Sequence, residues 1–231
     1  MDPEKFRTSD GSDTLFRRDL NQHYHSTHGA LQESRHIFID AGFIYAIDRL
    51  HPHLPQQMEI LHILEIGFGT GLNALLTLIE AEKRGIKVHY TTIEAFPLDK
   101  NCWQSLNYPL LFSPDDFTNT FNNLHLAGWD KPSMISPDFT LHKIQCELES
   151  YLPSISMFNL IYFDAFGPDA QPELWTDGIF QNLGNGLTRG GILVTYSVKG
   201  IVVRALRAAG LQTEKLAGPP GKRHILRAVK P

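Results

Sequence analysis

The sequence predicts an α/β fold with a seven-stranded, mostly parallel sheet that carries an antiparallel hairpin at its carboxyl-terminal edge. Short apolar runs alternate with segments of helical periodicity, and a glycine-rich loop joins the first run to the first of these segments. Near the end of the chain, two apolar runs are joined by the short loop AGPPGKR, which suits an antiparallel hairpin. Alternation of strands and helices favours a parallel sheet that is covered on both faces.

The chain has 231 residues, of which 42% are hydrophobic, so it is long enough to bury one large core. We predict an N-terminal extension over residues 1–57 that packs on a main domain over residues 58–231. Apolar residues at helical spacing between Ile37 and Tyr45 predict a helix in the extension. Residues 108–138 interrupt the main domain as an insertion rich in proline and asparagine.

The strands of the main domain are predicted from apolar runs that end in acidic or polar residues. In chain order they cover residues 60–66, 88–94, a segment just before Cys146, and residues 158–164, 192–197, 212–216 and 224–229. Helices are predicted directly after Gly71, around residues 176–187, and before Gly210. Ligands of such sheets bind at the carboxyl ends of the strands, so we expect the functional site there.

The composition argues against several classes of protein. No run of about 18 apolar residues is present to span a bilayer, and the first residues lack the charged and apolar regions of a secretory signal. Two cysteines, Cys102 and Cys146, are too few for a disulfide framework and are not spaced as metal ligands. We therefore expect a cytoplasmic protein with no membrane partner.

Positive charge is concentrated at the carboxyl-terminal end of the chain. From Arg189 onward the formal charge is +8, with Glu214 as the single acid, whereas the first 188 residues carry −12. A segregated basic end is typical of proteins with an anionic partner, such as the phosphates of a nucleic acid. A solvated face with a chance charge bias is the alternative.

The stretch HILEIGFGTGLN, residues 62–73, is the most specific local signal. Gly67, Gly69 and Gly71 lie between a strand and a helix, where missing side chains let the backbone turn tightly and approach a ligand. A nicotinamide-binding loop would have its third glycine at position 72, which is Leu72 here. The spacing therefore indicates a different cofactor, and a purely structural turn is the alternative.

The glycine loop, preceded by Glu65, resembles the first motif of class I methyltransferases, which have a Rossmann-like α/β fold and use S-adenosylmethionine. The resemblance implies that Glu94, 25 residues after Gly69, accepts hydrogen bonds from both ribose hydroxyls. It also implies an acid near the adenine amino group, for which the sequence offers Glu147. An exposed surface carboxylate is the alternative for both acids.

The stretch YFDAFGPDAQPELW, residues 162–175, ends the fourth strand with Asp164. We expect this strand to lie beside the first, so that Asp164 emerges close to the cofactor loop. A carboxylate there can accept a hydrogen bond from an amine, aim its lone pair, and stabilise the positive charge that develops on nitrogen during methyl transfer. Phe166 and Trp175 can stack on a pyrimidine ring or pack in the core, and Pro168 stiffens the loop.

The chain resembles the tRNA 5-aminomethyl-2-thiouridine methyltransferase family in five segments that occur in the same order: ESRHIFIDAGF, EIGFGTGLN, IEAFPLD, FDAFGPDAQPELW and GKRHILRA. The resemblance implies methyl transfer from S-adenosylmethionine to the aminomethyl nitrogen of the wobble uridine, giving 5-methylaminomethyl-2-thiouridine. The flavin-dependent oxidase half of bifunctional relatives does not fit in 231 residues. We therefore expect no FAD, and we expect separate enzymes to supply the aminomethyl uridine.

The family resemblance assigns roles to individual residues. The cofactor-loop residues are Glu65, Gly67, Phe68, Gly69, Gly71 and Asn73, with Glu94 as the ribose acid and Asp164 as the residue that faces the amine. Tyr24 is expected to line the pocket, because the N-terminal segment resembles one that lies over the cofactor. Our candidates for contacts with the phosphates of the anticodon arm are Lys199, Arg204, Lys222 and Arg223, each of which can also be a solvated surface charge.

The N-terminal segment contains further polar residues. His23, His25 and His28 suggest metal binding, but methyl transfer needs no metal and no further ligand completes the spacing, so we predict none. Glu33 and Arg35 can pair with each other or contact the substrate.

Two other functions fit parts of the pattern. A small-molecule N- or O-methyltransferase or an aminopropyl transferase can use the same fold. The basic carboxyl-terminal end argues against this alternative, because a small substrate does not require it. A catalytically silent RNA-binding module is the second alternative, and the intact glycine loop, Glu94 and Asp164 argue against it.

Overall fold

The computed structural model of the protein describes residues 3–50, 60–112 and 114–231, without the side chain of Leu50. The predicted boundary between residues 57 and 58 lies outside the described residues. Within them, no helix is both long and apolar enough to cross a membrane.

A central sheet of eight strands forms the core of the fold. Its strands are β4 (Leu61–Ile66), β5 (Val88–Ile93), β6 (Lys131–Ser136), β7 (Phe139–Ile144), β8 (Phe158–Phe163), β9 (Leu187–Thr195), β10 (Gln212–Ala217) and β11 (His224–Val229). Their spatial order is β10-β11-β9-β8-β4-β5-β7-β6. The five inner strands from β9 to β7 are parallel. The predicted C-terminal hairpin continues the sheet, with β11 antiparallel to β9 and β10 antiparallel to β11.

The sheet has eight strands rather than seven because the insertion contributes β6. This strand pairs antiparallel with β7 at the other edge, and three of its six residues are exposed. Its sequence KPSMIS has no apolar run, and Pro132 is tolerated because an edge strand leaves part of its backbone unpaired. The rest of the insertion forms a 3₁₀ turn at Tyr108–Phe112 and the helix α5 (Thr118–Leu126).

Helices cover both faces of the sheet, as the strand–helix alternation predicts. One face carries α3 (Leu72–Arg84) and the N-terminal helical segment, which consists of α1 (Ala30–Ser34), a π-helical stretch at Arg35–Ile44 and α2 (Tyr45–Leu50). The other face carries α6 (Asp177–Gly186) and α7 (Gly200–Ala208), and α4 (Lys100–Gln104) follows β5.

The side chains of β8 show how one strand serves both cores. Tyr162 packs toward the N-terminal helical segment, with its ring centroid 5.2 Å from that of Phe38. The next residue, Phe163, packs on the opposite face, 4.7 Å from Trp175 and 5.0 Å from Phe180. This alternation follows from the two-residue period of a strand and explains why β8 is apolar throughout.

The N-terminal extension forms a small antiparallel sheet of β1 (Glu4–Arg7), β2 (Asp13–Arg17) and β3 (Gln22–His23) before its helix. The backbone N–H of Asp13 donates to the side-chain oxygen of Asn107 at 2.8 Å, and the backbone N–H of Asn107 donates to the Asp13 carboxylate at 3.0 Å. These reciprocal bonds attach the extension to the segment of the main domain that follows α4. As a result, residues 19–28, which we call the N-terminal strap, lie along the carboxyl edge of the sheet.

Candidate active site

A cavity of about 660 Å³ lies at the carboxyl ends of the parallel strands. Its floor consists of the loops that follow β4, β5, β7 and β8, its roof is the N-terminal strap, and Lys222 from the β10–β11 loop closes one side. A cavity of this size suits a cofactor together with the reacting part of a substrate.

The glycine loop lies at the centre of the cavity floor because β4 is flanked by β5 and β8. Gly67 and Gly69 have φ angles of 90° and 48°, which side chains disfavour. An added Cβ at Gly67 would lie 3.0 Å from the carbonyl oxygen of Asp164, and one at Gly69 would lie 3.1 Å from the ring of Tyr24. The glycines therefore allow both the turn and the close approach of neighbouring groups.

Glu94 is held against the glycine loop by backbone amides. Its carboxylate accepts hydrogen bonds from the N–H of Gly69 at 3.0 Å and from the N–H of Phe96 at 2.9 Å. Burial raises the pKa of Glu94, and these two hydrogen bonds oppose the rise because they favour the ionised form. A carboxylate can accept about four hydrogen bonds, so Glu94 keeps capacity for two ribose hydroxyls.

The loop after β7 lines the end of the cavity beyond Glu94. Cys146, Glu147 and Leu148 all contribute to this wall. The side chain of Glu147 is exposed, in keeping with the short 3₁₀ turn that begins after it at Leu148–Ser150. The position is compatible with the predicted adenine contact, which stays a prediction.

Asp164 lies on the other side of the glycine loop, where β8 ends. Its backbone N–H donates to the carbonyl of Ile66 at 3.0 Å, and its carboxylate accepts a hydrogen bond from the amide nitrogen of Asn73 at 2.8 Å. Burial raises the pKa of Asp164 well above its usual range, and the nearby Glu33 carboxylate raises it further, whereas the hydrogen bond from Asn73 lowers it. Asn73 thus holds Asp164 in place, and because it also lines the cavity, its predicted contact with the cofactor stays a prediction.

Glu65 corrects a prediction from the sequence. It is fully buried and does not line the cavity, because its side chain points into the layer beneath the glycine loop. Its carboxyl accepts a hydrogen bond from the hydroxyl of Thr92 at 2.9 Å, and burial raises its pKa well above the usual range. Glu65 therefore supports the floor of the site rather than contacting a ligand.

Phe68 also lies partly beneath the loop. Its ring centroid is 5.2 Å from that of His125, whose Nε2 donates to the carbonyl of Thr70 at 3.1 Å. The His125 ring stacks on Trp103 at 4.4 Å, and burial lowers its pKa to about 3, so it is neutral at physiological pH. His125 could not be predicted from the sequence, because it belongs to the insertion and its contact with the glycine loop depends on how the insertion folds back.

Two aromatic rings form the wall between the cofactor loop and Asp164. Tyr24 from the strap lies against Gly69, and its ring centroid is 5.0 Å from that of Phe166, with an interplanar angle of 72°. Both residues line the cavity, as predicted. Burial raises the pKa of Tyr24 to about 12, so its hydroxyl stays protonated at physiological pH.

For Trp175, the structure favours the second of the two roles considered from the sequence, because its ring lies in the core. Only 3% of its surface is exposed, and it packs among Phe163, Phe180 and Tyr196. Its indole N–H donates to the carbonyl of Phe166 at 2.8 Å. Trp175 therefore fixes the loop that carries Phe166 and does not itself face the cavity.

A second cavity of about 520 Å³ adjoins the first and shares Gln22, Tyr196 and Lys222 with it. Its wall includes Pro168 and three of the predicted basic residues: Lys199, Lys222 and Arg223. Arg204 is exposed on α7, with its guanidinium close to Gly200, next to Lys199. The second cavity thus brings together three of the four basic residues chosen from the sequence, and Lys199 is paired with Asp169.

Lys222 differs from the other three basic residues because it faces the first cavity. Its ammonium group lies 2.8 Å from the carboxylate of Glu33, so Glu33 pairs with Lys222 and not with Arg35. Arg35 instead lies 3.5 Å from Glu80. The sequence could not identify the Glu33–Lys222 pair, because the two residues come from opposite ends of the chain.

The three histidines of the strap all line the first cavity. Over the part of the chain that the structure describes, no three His, Cys, Asp or Glu side chains converge as metal ligands. His23 packs against Phe6 and Phe16, and burial lowers the pKa of His25 to about 4.

Comparisons with known proteins agree with this geometry. The model of a family described as S-adenosyl-L-methionine-dependent methyltransferases matches residues 132–231. Two curated proteins, from Magnetococcus marinus and Aromatoleum aromaticum, are 32% and 31% identical to this chain over 90% and 88% of its length. Each is named tRNA 5-methylaminomethyl-2-thiouridine biosynthesis bifunctional protein MnmC, and the chain spans about a third of the length of each.

Two solved structures share the fold. MNMC2 from Aquifex aeolicus superposes with a TM-score of 0.78 at 23% identity, over 99% of this chain and 72% of the other. Spermidine synthase from Thermotoga maritima superposes with a TM-score of 0.50 at 14% identity, over 95% of this chain and 69% of the other. The Rossmann-like fold and the cofactor S-adenosylmethionine, both predicted from the sequence, are confirmed.

We predict that Gly69→Ala lowers affinity for S-adenosylmethionine about tenfold or more, a loss of about 1.4 kcal/mol. The added Cβ would displace the Tyr24 ring from the cavity wall. Gly85→Ala is the matched control, because Gly85 also has a positive φ, of 64°, but an added Cβ there meets nothing within 4 Å. Both variants should lose about 1 kcal/mol of stability. Calorimetric titration measures the affinities, and equal affinities in the two variants would contradict the assignment.

Proposed function

We propose that this chain, a Rossmann-like S-adenosyl-L-methionine-dependent methyltransferase, methylates the aminomethyl nitrogen of 5-aminomethyl-2-thiouridine at the tRNA wobble position. The product would be 5-methylaminomethyl-2-thiouridine, the modification in the printed name of the curated relatives. The observation that carries the proposal is the position of Asp164, beside the glycine loop and bonded to Asn73. This reaction calls for neither a metal nor a flavin, and it belongs in the cytoplasm, where tRNA is found.

The described residues fit the cofactor. The glycine loop and Glu94 would hold its ribose and methionine parts, and Cys146 and Glu147 would flank its adenine. When bound, S-adenosylmethionine supplies an electrophilic methyl group on a positively charged sulfur. Asp164 lies on the side of the glycine loop away from Glu94, so its carboxylate is suited to bind the attacking amine.

Asp164 would prepare the amine for attack. An aminomethyl group is largely protonated in water, and its lone pair becomes available only after a proton leaves. Because burial raises the pKa of Asp164, the gap between the carboxyl and an ammonium ion is smaller than for an exposed aspartate. The hydrogen bond from Asn73 occupies one carboxylate oxygen and leaves the other to accept from the amine.

The uracil ring would be held by the aromatic wall. Phe166 lies at the same strand end as Asp164, and Tyr24 stands edge-on to it. A wobble base that is unstacked and turned outward presents a face that such rings can stack on. Trp175 contributes indirectly through its bond to the Phe166 carbonyl.

The second cavity supports a nucleic-acid substrate over a small amine. It opens beside the Asp164 loop and is lined by Lys199, Lys222 and Arg223, which suits the backbone that flanks the target nucleotide. An aminopropyl transferase is the second candidate, because spermidine synthase shares the fold. A polyamine substrate would not require basic residues along this cavity wall.

The direct test is a methylation assay with labelled S-adenosylmethionine and tRNA that either bears or lacks 5-aminomethyluridine. Label should enter only the tRNA that bears the amine, and nucleoside analysis should place it on the aminomethyl nitrogen. Asp164→Asn should lower kcat by about 10²-fold or more, with cofactor affinity nearly unchanged. Label in tRNA that lacks the amine, or transfer to a polyamine instead, would contradict the proposal.

The same variant yields a stability control. The raised pKa of Asp164 means that the folded state disfavours its ionised form, so the wild type loses stability as pH rises above the unfolded-state pKa of aspartate. Asp164→Asn removes this cost, and its melting temperature at pH 7 should equal or exceed that of the wild type. A large loss of stability would show that the lost activity has a structural origin.

We predict that Arg223→Ala weakens tRNA binding and reduces the dependence of log affinity on log salt concentration by about one. Arg223 is exposed on the wall of the second cavity. Arg189→Ala removes the same charge from an exposed position at the opposite end of β9 and serves as the control. Binding measured over a range of salt concentrations decides, and equal effects of the two substitutions would contradict the predicted surface.

A further inference from the structure

The first cavity contains a second charged group beside Asp164. The Lys222 ammonium lies 2.8 Å from one carboxylate oxygen of Glu33. Glu33 is contributed by α1 and Lys222 by the β10–β11 loop, so the pair joins the two sides of the cavity. Only 9% of the Glu33 side chain and 28% of the Lys222 side chain are exposed.

The Glu33–Lys222 pair is held in place from several directions. The other carboxylate oxygen of Glu33 accepts a hydrogen bond from the backbone N–H of Ser26 at 2.6 Å. The Lys222 ammonium lies 4.3 Å from the ring centroid of Tyr196, whose hydroxyl donates to the carbonyl of Ala165 at 2.8 Å. Tyr196 thereby connects the pair to the residue that follows Asp164.

The β10–β11 loop itself packs tightly against the strap. Gly221 has a φ of 85°, and an added Cβ there would lie 2.6 Å from the ring of His28. The backbone N–H of Lys222 donates to the carbonyl of Pro219 at 2.9 Å. The position of Lys222 is therefore set by the backbone around it.

The net stabilisation from such a pair is expected to be small. Removing two charges from water costs about as much as their attraction returns, and apolar residues of similar size often serve as well. A pair that faces a cavity beside a carboxylate therefore calls for a reason other than stability.

We propose that Glu33 and Lys222 are positioning residues that set the charge around Asp164 so that the target amine, once bound, gives up a proton and becomes neutral. The inference rests on the proposed function, because it concerns the amine that Asp164 receives. With Glu33 paired to Lys222, the carboxylate of Asp164, rather than that of Glu33, is available to the amine. The amine's ammonium form transfers one proton to that carboxylate, which leaves a neutral amine and a neutral carboxyl group.

Removing Lys222 and removing Glu33 would shift the protonation of the amine in opposite directions. Without Lys222, two carboxylates would face the amine and hold it as an ammonium ion. Without Glu33, the Lys222 charge would act on Asp164 and on the amine unopposed and would favour their unprotonated forms. Consistent with this, burial raises the pKa of Asp164 most, the nearby Glu33 raises it further, and Lys222 lowers it.

Several other titratable groups lie near these three charges. Burial lowers the pKa of His25 to about 4 and raises the pKa of Tyr196 well above its usual range, so these two are neutral near pH 7. Burial also raises the pKa of Glu65, whose carboxyl accepts a hydrogen bond from Thr92. Asp10, Tyr24 and His28 also lie near the strap and the β10–β11 loop, and Arg17, Asp19 and His23 line the same cavity.

The test compares Lys222→Met with Glu33→Gln in methylation of aminomethyl-bearing tRNA. Lys222→Met should move the acidic limb of the pH profile of kcat/KM upward by about one pH unit, and Glu33→Gln should move it downward by a similar amount. The double variant should return close to the wild-type limb, because it removes one charge of each sign. A merely structural role would lower activity in both variants without moving the limbs in opposite directions.

A measurement without substrate separates this inference from the proposed function. NMR titration of carboxyl-labelled protein, with Asp164→Asn to assign the signal, reports the pKa of Asp164 directly. The pKa should rise in Lys222→Met and fall in Glu33→Gln, whether or not the wild type methylates tRNA. Shifts in the same direction, or no shift in either variant, would overturn the inference. Failure of the wild type alone to methylate aminomethyl-bearing tRNA would count against the proposed function instead.

Discussion

The pairing of β4 with β8 is the constraint on which the site depends. Ile66 lies beside Phe163 in register, so the residues that follow, Gly67 and Asp164, leave the sheet together. Their backbones approach so closely that an added Cβ at Gly67 would lie 3.0 Å from the Asp164 carbonyl oxygen. The same contact turns the glycine loop and places the Asp164 carboxylate beside it. The bond from Asn73 to Asp164 then joins the first helix after the loop to the reaction side.

The site carries a cost in stability that its function explains. Burial raises the pKa of Glu65, Glu94 and Asp164, so the folded state disfavours their ionised forms. Glu94 is compensated by two backbone amides and Asp164 by a single side-chain amide. Asp164 accepts fewer hydrogen bonds, and it is the carboxylate that we propose to exchange a proton. Glu94 accepts more, and its proposed role requires only that it accept hydrogen bonds.

The sequence predicted the parts of the site that depend on local pattern. Three alternating glycines between a strand and a helix indicate the loop, and acids at the ends of neighbouring parallel strands identify Glu94 and Asp164. Residues whose role depends on the direction of the side chain were harder to predict from the sequence. Glu65 and Trp175 lie in the segments that form the site. The two-residue period of β4 places the Glu65 side chain beneath the cavity floor, and Trp175 packs in the core. Contacts between distant segments, such as Glu33 with Lys222, leave no trace in a single sequence.

The central claim is that one cavity places a cofactor on the glycine loop and an amine at Asp164. A crystal structure of the protein with S-adenosylhomocysteine and an anticodon stem-loop that bears 5-aminomethyl-2-thiouridine tests it directly. We expect the ribose hydroxyls at Glu94 and the aminomethyl nitrogen within hydrogen-bond distance of the Asp164 carboxylate, about 3 Å. A target base bound outside the first cavity, or an aminomethyl nitrogen that contacts other groups while Asp164 keeps only its bond to Asn73, would contradict the account.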